Sequence, residues 1–153
     1  MKTFLRLTAA TTLLCAVSLP AQAEDPFETE IAARQGLMQV YKYNIGILAA
    51  MAKGEAEYDA EAAQKAADNI KLVTMMDNSG LWAQGSDSES VEGSKAKPEL
   101  WSTYPKVADY SKETASAATL MADNAGQGLD ALKANIGPLG KSCKTCHDDF
   151  RMK

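Results

Sequence analysis

Cys143, Cys146 and His147 stand in the run Cys143-Lys144-Thr145-Cys146-His147, with only six residues after it. In a C-x-x-C-H run the two thiols can add across the vinyl groups of a haem, and the adjoining imidazole can ligate its iron. His147 is the only histidine in the chain. No second imidazole is present to complete a zinc site, a bis-histidine iron site or a catalytic dyad, so the chemistry has to be built around one His.

Other uses of the pair fit less well. A disulfide between Cys143 and Cys146 is possible, and so is a thioredoxin-like redox pair. Such a pair normally opens a helix after a strand in a βαβ unit, however, and this one lies in a helical tail. A structural zinc site needs four ligands and three are present. Covalent haem c is therefore the expected cofactor.

The elements that would position this run begin after an export leader. Lys2 and Arg6 form a basic start, Leu7 to Leu19 is apolar and uncharged, and Ala21-Gln22-Ala23 is a small-residue cleavage site. The apolar run of about 13 residues is too short to span a bilayer as a helix. Residues 1–23 are read as a signal peptide cleaved after Ala23. Residues 24–153 are read as a single periplasmic domain with no membrane span. Processing removes Cys15, leaving Cys143 and Cys146 as the mature cysteines, and the loss of Lys2 and Arg6 takes the net charge from −4 to −6. That balance argues against nucleic acid, and an acidic surface can steer encounters with a basic partner.

The mature sequence shows helical periodicity and no convincing alternating strand. The first helix is expected to open with Asp25 as cap, Pro26 at its first position and Glu28 completing a capping box. It should run to about Lys53, where Gly54 can take the left-handed conformation. Ile31, Met38, Ile45 and Ala52 repeat every seven residues, with Tyr41 and Leu48 on the interleaved row, the pattern of a bundle seam. The second helix is capped by Asp59, carries Ala62, Ala66, Ile70 and Val73 on one face, and stops near Asn78-Ser79-Gly80. Gly80 to Lys97 is rich in Gly, Ser, Asp, Glu and Lys, so it reads as a loop that buries little, with Leu81 and Trp82 pinning its near end. Pro105 belongs in a first turn, which predicts a short turn at Pro98-Glu99-Leu100-Trp101 and then a helix from about Thr103 to Asn124. In the last helix Leu129, Leu132, Ile136, Leu139, Cys143, Cys146 and Phe150 form one apolar stripe that turns both cysteines to the core. Gly137-Pro138 should interrupt or bend it just before the attachment turn.

The position of the run selects the architecture. Met152 is five residues after His147 on the same helix, about 7 Å along the axis, and cannot swing to the opposite face of a macrocycle. Any distal group must come from upstream. The fold expected is all-α: an antiparallel up-down four-helix bundle holding a covalently attached haem between its helices.

Four stretches carry a family resemblance: Cys143 to Arg151, Ala33-Arg34-Gln35-Gly36-Leu37-Met38, Ala52-Lys53-Gly54-Glu55, and Pro98-Glu99-Leu100-Trp101. In order and spacing they resemble the class II cytochromes c, the group of cytochrome c' and its low-spin relatives, over essentially the whole mature chain.

Arg34 sits on the seam one turn before Met38, where an unpaired guanidinium is costly and a haem propionate would serve as its partner; the alternative is that it snorkels to solvent. The resemblance implies that Arg34 and Gln35 both contact the haem. Lys95, just before the third helix, is a lesser propionate candidate. Arg151, four residues after His147, falls on the same helix side, where it can equally compensate the helix dipole; the resemblance implies that it lies near the haem.

On pattern alone Met38 reads as core filler. The resemblance places it over the distal haem face, where a Met ligates iron in low-spin members, while a Leu, Met or aromatic covers an empty site in cytochrome c'. If Met38 coordinates, His147/Met38 ligation raises the reduction potential and the protein carries single electrons between periplasmic redox partners. If it only packs, the open apolar site binds nitric oxide or carbon monoxide. The stretch from Leu37 to Glu55 is closest to the low-spin branch, which favours the carrier. No distal acid or base is present to support a peroxidase-type enzyme. Many members of the family dimerise through their first two helices, and this chain is a candidate homodimer.

Overall fold

The computed structural model describes residues 26–153. The leader, Cys15 and the Asp25 cap lie outside the described residues. Helix α1 spans Glu28–Lys53, two residues later than the sequence pattern suggested. Pro26 belongs to a turn instead of the first helical position, and Phe27 precedes the helix with φ 72°. A bulky residue with positive φ is a genuine outlier, and Phe27 holds it while its ring approaches the backbone at Gly85. Gly54 ends α1 as expected. Its φ of 76° lets its own N–H reach Met51 O and the N–H of Glu55 reach Ala50 O, closing carbonyls that the helix end leaves open.

Helix α2 spans Ala60–Met75, and Asp59 caps it by accepting the N–H of Ala62 at 2.9 Å. A 3-10 turn at Ser79–Leu81 follows. Helix α3, Glu99–Ser102, is the short turn expected ahead of Pro105, and α4 spans Tyr104–Asn124 with Pro105 in its first turn. Helix α5 runs from Leu129 to Phe150 without interruption, with Pro138 inside it. Of the expected interruption or bend at Gly137-Pro138, the interruption is not there. Pro138 and Ala134, whose carbonyl loses its helical partner, are both exposed, so water can satisfy that oxygen and the helix continues.

Each of α1 and α4 packs against both α2 and α5, which closes a ring of four long helices. The links 54–59 and 125–128 are short and make the α1–α2 and α4–α5 pairs antiparallel. The core is built from Leu48, Ile70, Met121, Leu132 and Leu139, interleaved with Ala63, Ala66, Ala67, Ala118, Ala122 and Ala125, whose small side chains let the helices approach closely. At one end of the bundle the Tyr58 hydroxyl donates to Ala125 O and accepts from Gly128 N–H, both at 2.9 Å. Gly126 lies against α2 there: a Cβ on it would sit 2.8 Å from Gln64 Oε1, 3.3 Å from Gln64 Cβ and 3.4 Å from Ala60 O, so a larger residue must displace the Gln64 side chain.

The other end holds a second cluster. Ala96, Leu100 and Phe150 are buried there with Trp82, Trp101, Val107, Tyr110 and Cys146 packed around them. Residues 80–97 are part of it, and this corrects the composition-based expectation that the loop buries little. Ser86, Asp87, Val91, Ser94 and Ala96 are all buried. The polar residues make this possible by satisfying the backbone. Asp87 accepts from the N–H groups of Glu89 and Ser90 and from the Ser90 hydroxyl, and Ser88 N–H donates to Ala96 O at 2.8 Å. The segment is better described as a strap. Among the described residues no strand forms, only one antiparallel bridge between Ala96 and Arg151.

Candidate haem-attachment site

Cys143 and Cys146 lie three residues apart on the last turns of α5, so both thiols project to one side, and His147 follows within the same turn. Both cysteines are free and half-buried, and His147 is half-buried beside them. Cys146 packs into the Trp82–Phe150 cluster. The phenol of Tyr41 on α1 is pushed up to about 12, by burial first and by the charge of the Cys143 thiol second. Burial also pushes both thiols up, and for Cys146 the negative charges of Cys143 and Asp149 add to it. His147 moves the other way. Burial lowers its proton affinity, the Arg151 cation lowers it further, and Asp148 only partly opposes them. The imidazole is thus held neutral, the form that binds a metal.

The donor set fits a haem and little else. Two thiols and a neutral imidazole share one helix face, and among the described residues no group of three or more His, Cys, Asp or Glu is arranged to hold a bare metal ion.

The remaining candidates are placed as follows. Arg34 is only 4% exposed, and its partners are in the strap. One terminal nitrogen donates to Ser86 Oγ at 2.6 Å and Leu81 O at 3.3 Å, and the other to Ser86 O at 2.5 Å and Ser94 Oγ at 2.8 Å. The guanidinium also lies 5.0 Å from the centre of the Trp82 ring. The alternative that it snorkels to solvent is corrected: the guanidinium is buried, and four of its five N–H donors are used by strap residues 47 to 60 positions away. Burial lowers its proton affinity and Asp87 raises it again. Gln35 donates to Gly93 O at 2.9 Å, a second tie to the strap.

Met38 lies on α1 between Arg34 and Tyr41 and is 37% exposed. Lys95 is exposed, and its carbonyl accepts Met152 N–H at 2.8 Å. Arg151 has left the helix, with φ −114° and ψ 133°, so it does not share the helical face of His147, although its N–H still reaches His147 O and its charge still acts on that imidazole.

Sequence reasoning missed the network around the end of α5. Lys97 reaches the carbonyl of Asp149 at 3.0 Å and that of Asp148 at 3.4 Å, a cation on the helix C-terminus. Asp149 accepts from Tyr110 at 2.8 Å and pairs with Lys106 at 2.7 Å. These bonds hold the Asp149 carboxyl below the usual carboxylate range and push Lys106 and Tyr110 up. Lys106 and Tyr110 at i, i+4 on one helix face were the available signal.

Residues 29–151 match the family model described as Cytochrome C'. The chain belongs to the cytochrome c' family. It is 36% identical to a cytochrome c' of Cereibacter sphaeroides over 97% of this chain and 99% of that protein. It is 35% identical to a cytochrome c-554 of the same organism, over 90% of this chain and 91% of that one. A solved cytochrome c' from Rhodobacter spheriodes superposes with a TM-score of 0.81 at 37% identity, covering 83% of this chain and 98% of that one. As a cytochrome c' family protein, the chain carries one covalent haem c, for which Cys143 and Cys146 are the attachment residues in sequence. The fold is the family's four-helix bundle. Among the described residues, no helix is long and apolar enough to cross a membrane.

Proposed function

We propose that the chain is an exported, periplasmic monohaem electron carrier whose iron is held by His147 and Met38. The observation that supports this reading is the register of α1. Tyr41, Ile45 and Leu48 pack into the core cluster that holds Leu132 and Leu139 of α5, so the seam that includes Met38 runs along the side of α1 turned to the attachment helix. Met38 is one turn from Arg34 and from Tyr41, and its thioether is less confined than its neighbours on that stripe, free to serve as a ligand instead of as packing. The bound haem supplies one-electron chemistry at its iron.

The chain's own residues do the rest. His147, held neutral by burial and Arg151, is ready to ligate without first losing a proton. Met38 would supply the haem iron with a soft, neutral sulfur ligand, which would raise its potential and keep its coordination alike in both oxidation states. Cys146 packs, with Trp82 and Trp101, against the buried cluster of Ala96, Leu100 and Phe150, apolar surface that limits water around the attachment turn. Four other groups, Arg34, Gln35, Lys95 and Arg151, lie at the same end of the bundle and are the cationic and polar side chains from which propionate contacts would be drawn.

An optical spectrum of the purified holoprotein, oxidised and reduced, with and without carbon monoxide, tests the reading. Low-spin bands that ignore the gas support it, and Met38→Ala should then become high-spin and bind carbon monoxide. A wild-type spectrum that is high-spin and shifts with the gas would replace the carrier by a nitric oxide or carbon monoxide binder.

A further inference from the structure

The side-chain hydrogen bonds of Arg34 go to the strap, and the strap is fastened to the last turn of α5. At the near end of the strap, Trp82 lies under the guanidinium, packs with Cys146 and Phe150, and accepts the Trp101 indole N–H at 2.8 Å. In the middle, Ser86 and Ser94 both bond to Arg34, and the Ser94 hydroxyl donates onward to Ser86 O at 2.8 Å. At the far end, Lys97 N–H reaches Phe150 O at 2.9 Å and Met152 N–H reaches Lys95 O at 2.8 Å. A single cation on α1 therefore gathers two serines, and through them a segment that clasps α5 on both sides of the residues following His147. Buried and charge-assisted, these bonds are the strong kind, and losing an acceptor leaves a buried donor without a partner.

We propose that Arg34 is a positioning residue: by clasping the strap it fixes the separation between α1, which carries Met38, and the turn of α5 that carries His147, and so governs how firmly the distal face is held closed. This rests on the reading of Met38 as the distal group.

The test uses the haem-loaded protein and leaves Arg34 itself in place. Ser86→Ala/Ser94→Ala removes two acceptors that belong to no candidate ligand. Tyr58→Phe, which loosens the opposite end of the bundle, controls for general destabilisation. Amide hydrogen exchange at Ser88, Val91, Lys97 and Met152 is followed alongside carbon monoxide binding to the reduced protein. The serine variant should exchange faster at those amides and take up carbon monoxide about tenfold more readily than wild type, the scale of one charge-assisted hydrogen bond. Tyr58→Phe should do neither. Strap amides that exchange faster with unchanged carbon monoxide binding would overturn the proposal, as would unchanged exchange or an equal gain in Tyr58→Phe. Should the double variant fail to fold, Ser94→Ala alone is read by the same two measurements. Met38→Ala separates the two readings: if it leaves the spectrum as in wild type, the ligation reading fails on its own. The strap is then judged by the rate of carbon monoxide association, which the serine variant must change about tenfold.

Discussion

Replacing Tyr58 with Phe removes one oxygen and tests whether the end of the bundle remote from the haem is a separate stability element. The hydroxyl joins two chain segments by donating to Ala125 O and accepting from Gly128 N–H, each at 2.9 Å. Ala125 is fully buried, so its carbonyl would lose its side-chain partner with little access to water, at a cost of about 1–2 kcal/mol. Gly128 is half-buried and can recruit water, so its loss is about 0.5 kcal/mol. The phenyl ring keeps its packing, so no cavity term is added. The sum is about 2 kcal/mol, which for a chain of this length lowers Tm by roughly 6–10 °C. Chemical denaturation of the holoprotein, followed by far-ultraviolet circular dichroism, gives the free energy, and the haem absorption bands should stay as in wild type. A loss below about 0.5 kcal/mol would refute the reasoning from those two hydrogen bonds. So would a loss of the expected size accompanied by a changed haem spectrum, because the two ends of the bundle would then not be independent.

Gly126→Ala should destabilise by about 1–2 kcal/mol, because the new methyl group meets Gln64 and the Ala60 carbonyl; a thermal melt within 2 °C of wild type would contradict that. Tyr41 should be the last of the five tyrosines to ionise, near pH 12, as read from absorbance at 295 nm. Thioether formation removes the thiol contribution to that shift and leaves burial, its larger cause. Asp149 has its folded pKa depressed by Lys106 and Tyr110, so its contribution to stability is present above the unfolded carboxylate value and is lost as pH falls through the folded one. Asp149→Asn should therefore flatten the acid limb of the stability–pH curve relative to wild type, and an unchanged limb would count against the Lys106–Asp149–Tyr110 clamp.

The parts of the fold legible in the sequence are those set by neighbours along the chain. Asp59 caps α2 through a residue three positions on, Gly54 needs only its own φ, and Pro105 forces a short turn before α4 through a rule about one N–H. The stripe from Leu129 to Phe150 placed both cysteines correctly on one side of α5. The strap was not legible, because what orders it is a cation 47 to 60 residues upstream, and a segment rich in Ser, Gly and Asp has the composition of a solvated loop unless such a partner exists. Arg34 was legible as a buried seam charge, but nothing in the local pattern pointed to Ser86 and Ser94 as partners. That Pro138 does not interrupt α5 has the opposite reason: a local rule yielded to tertiary packing, since Leu132 and Leu139 are fully buried on either side and hold the helix through it.

That middle stretch of α5 has a consequence for how the protein matures. With Gly137, Pro138 and Gly140 in one turn and a half, intrinsic propensity disfavours helix there by about 5 kcal/mol. Its helicity is on loan from the bundle. Before the bundle closes, that weak segment leaves the attachment turn without a stable helix to hold it, and the thiols of Cys143 and Cys146 are not yet buried. After closure the same thiols are half-buried, less acidic and covered by aromatic rings. The weak centre of α5 thus favours an order of events: the thiols are most accessible before the bundle closes, and folding then covers them.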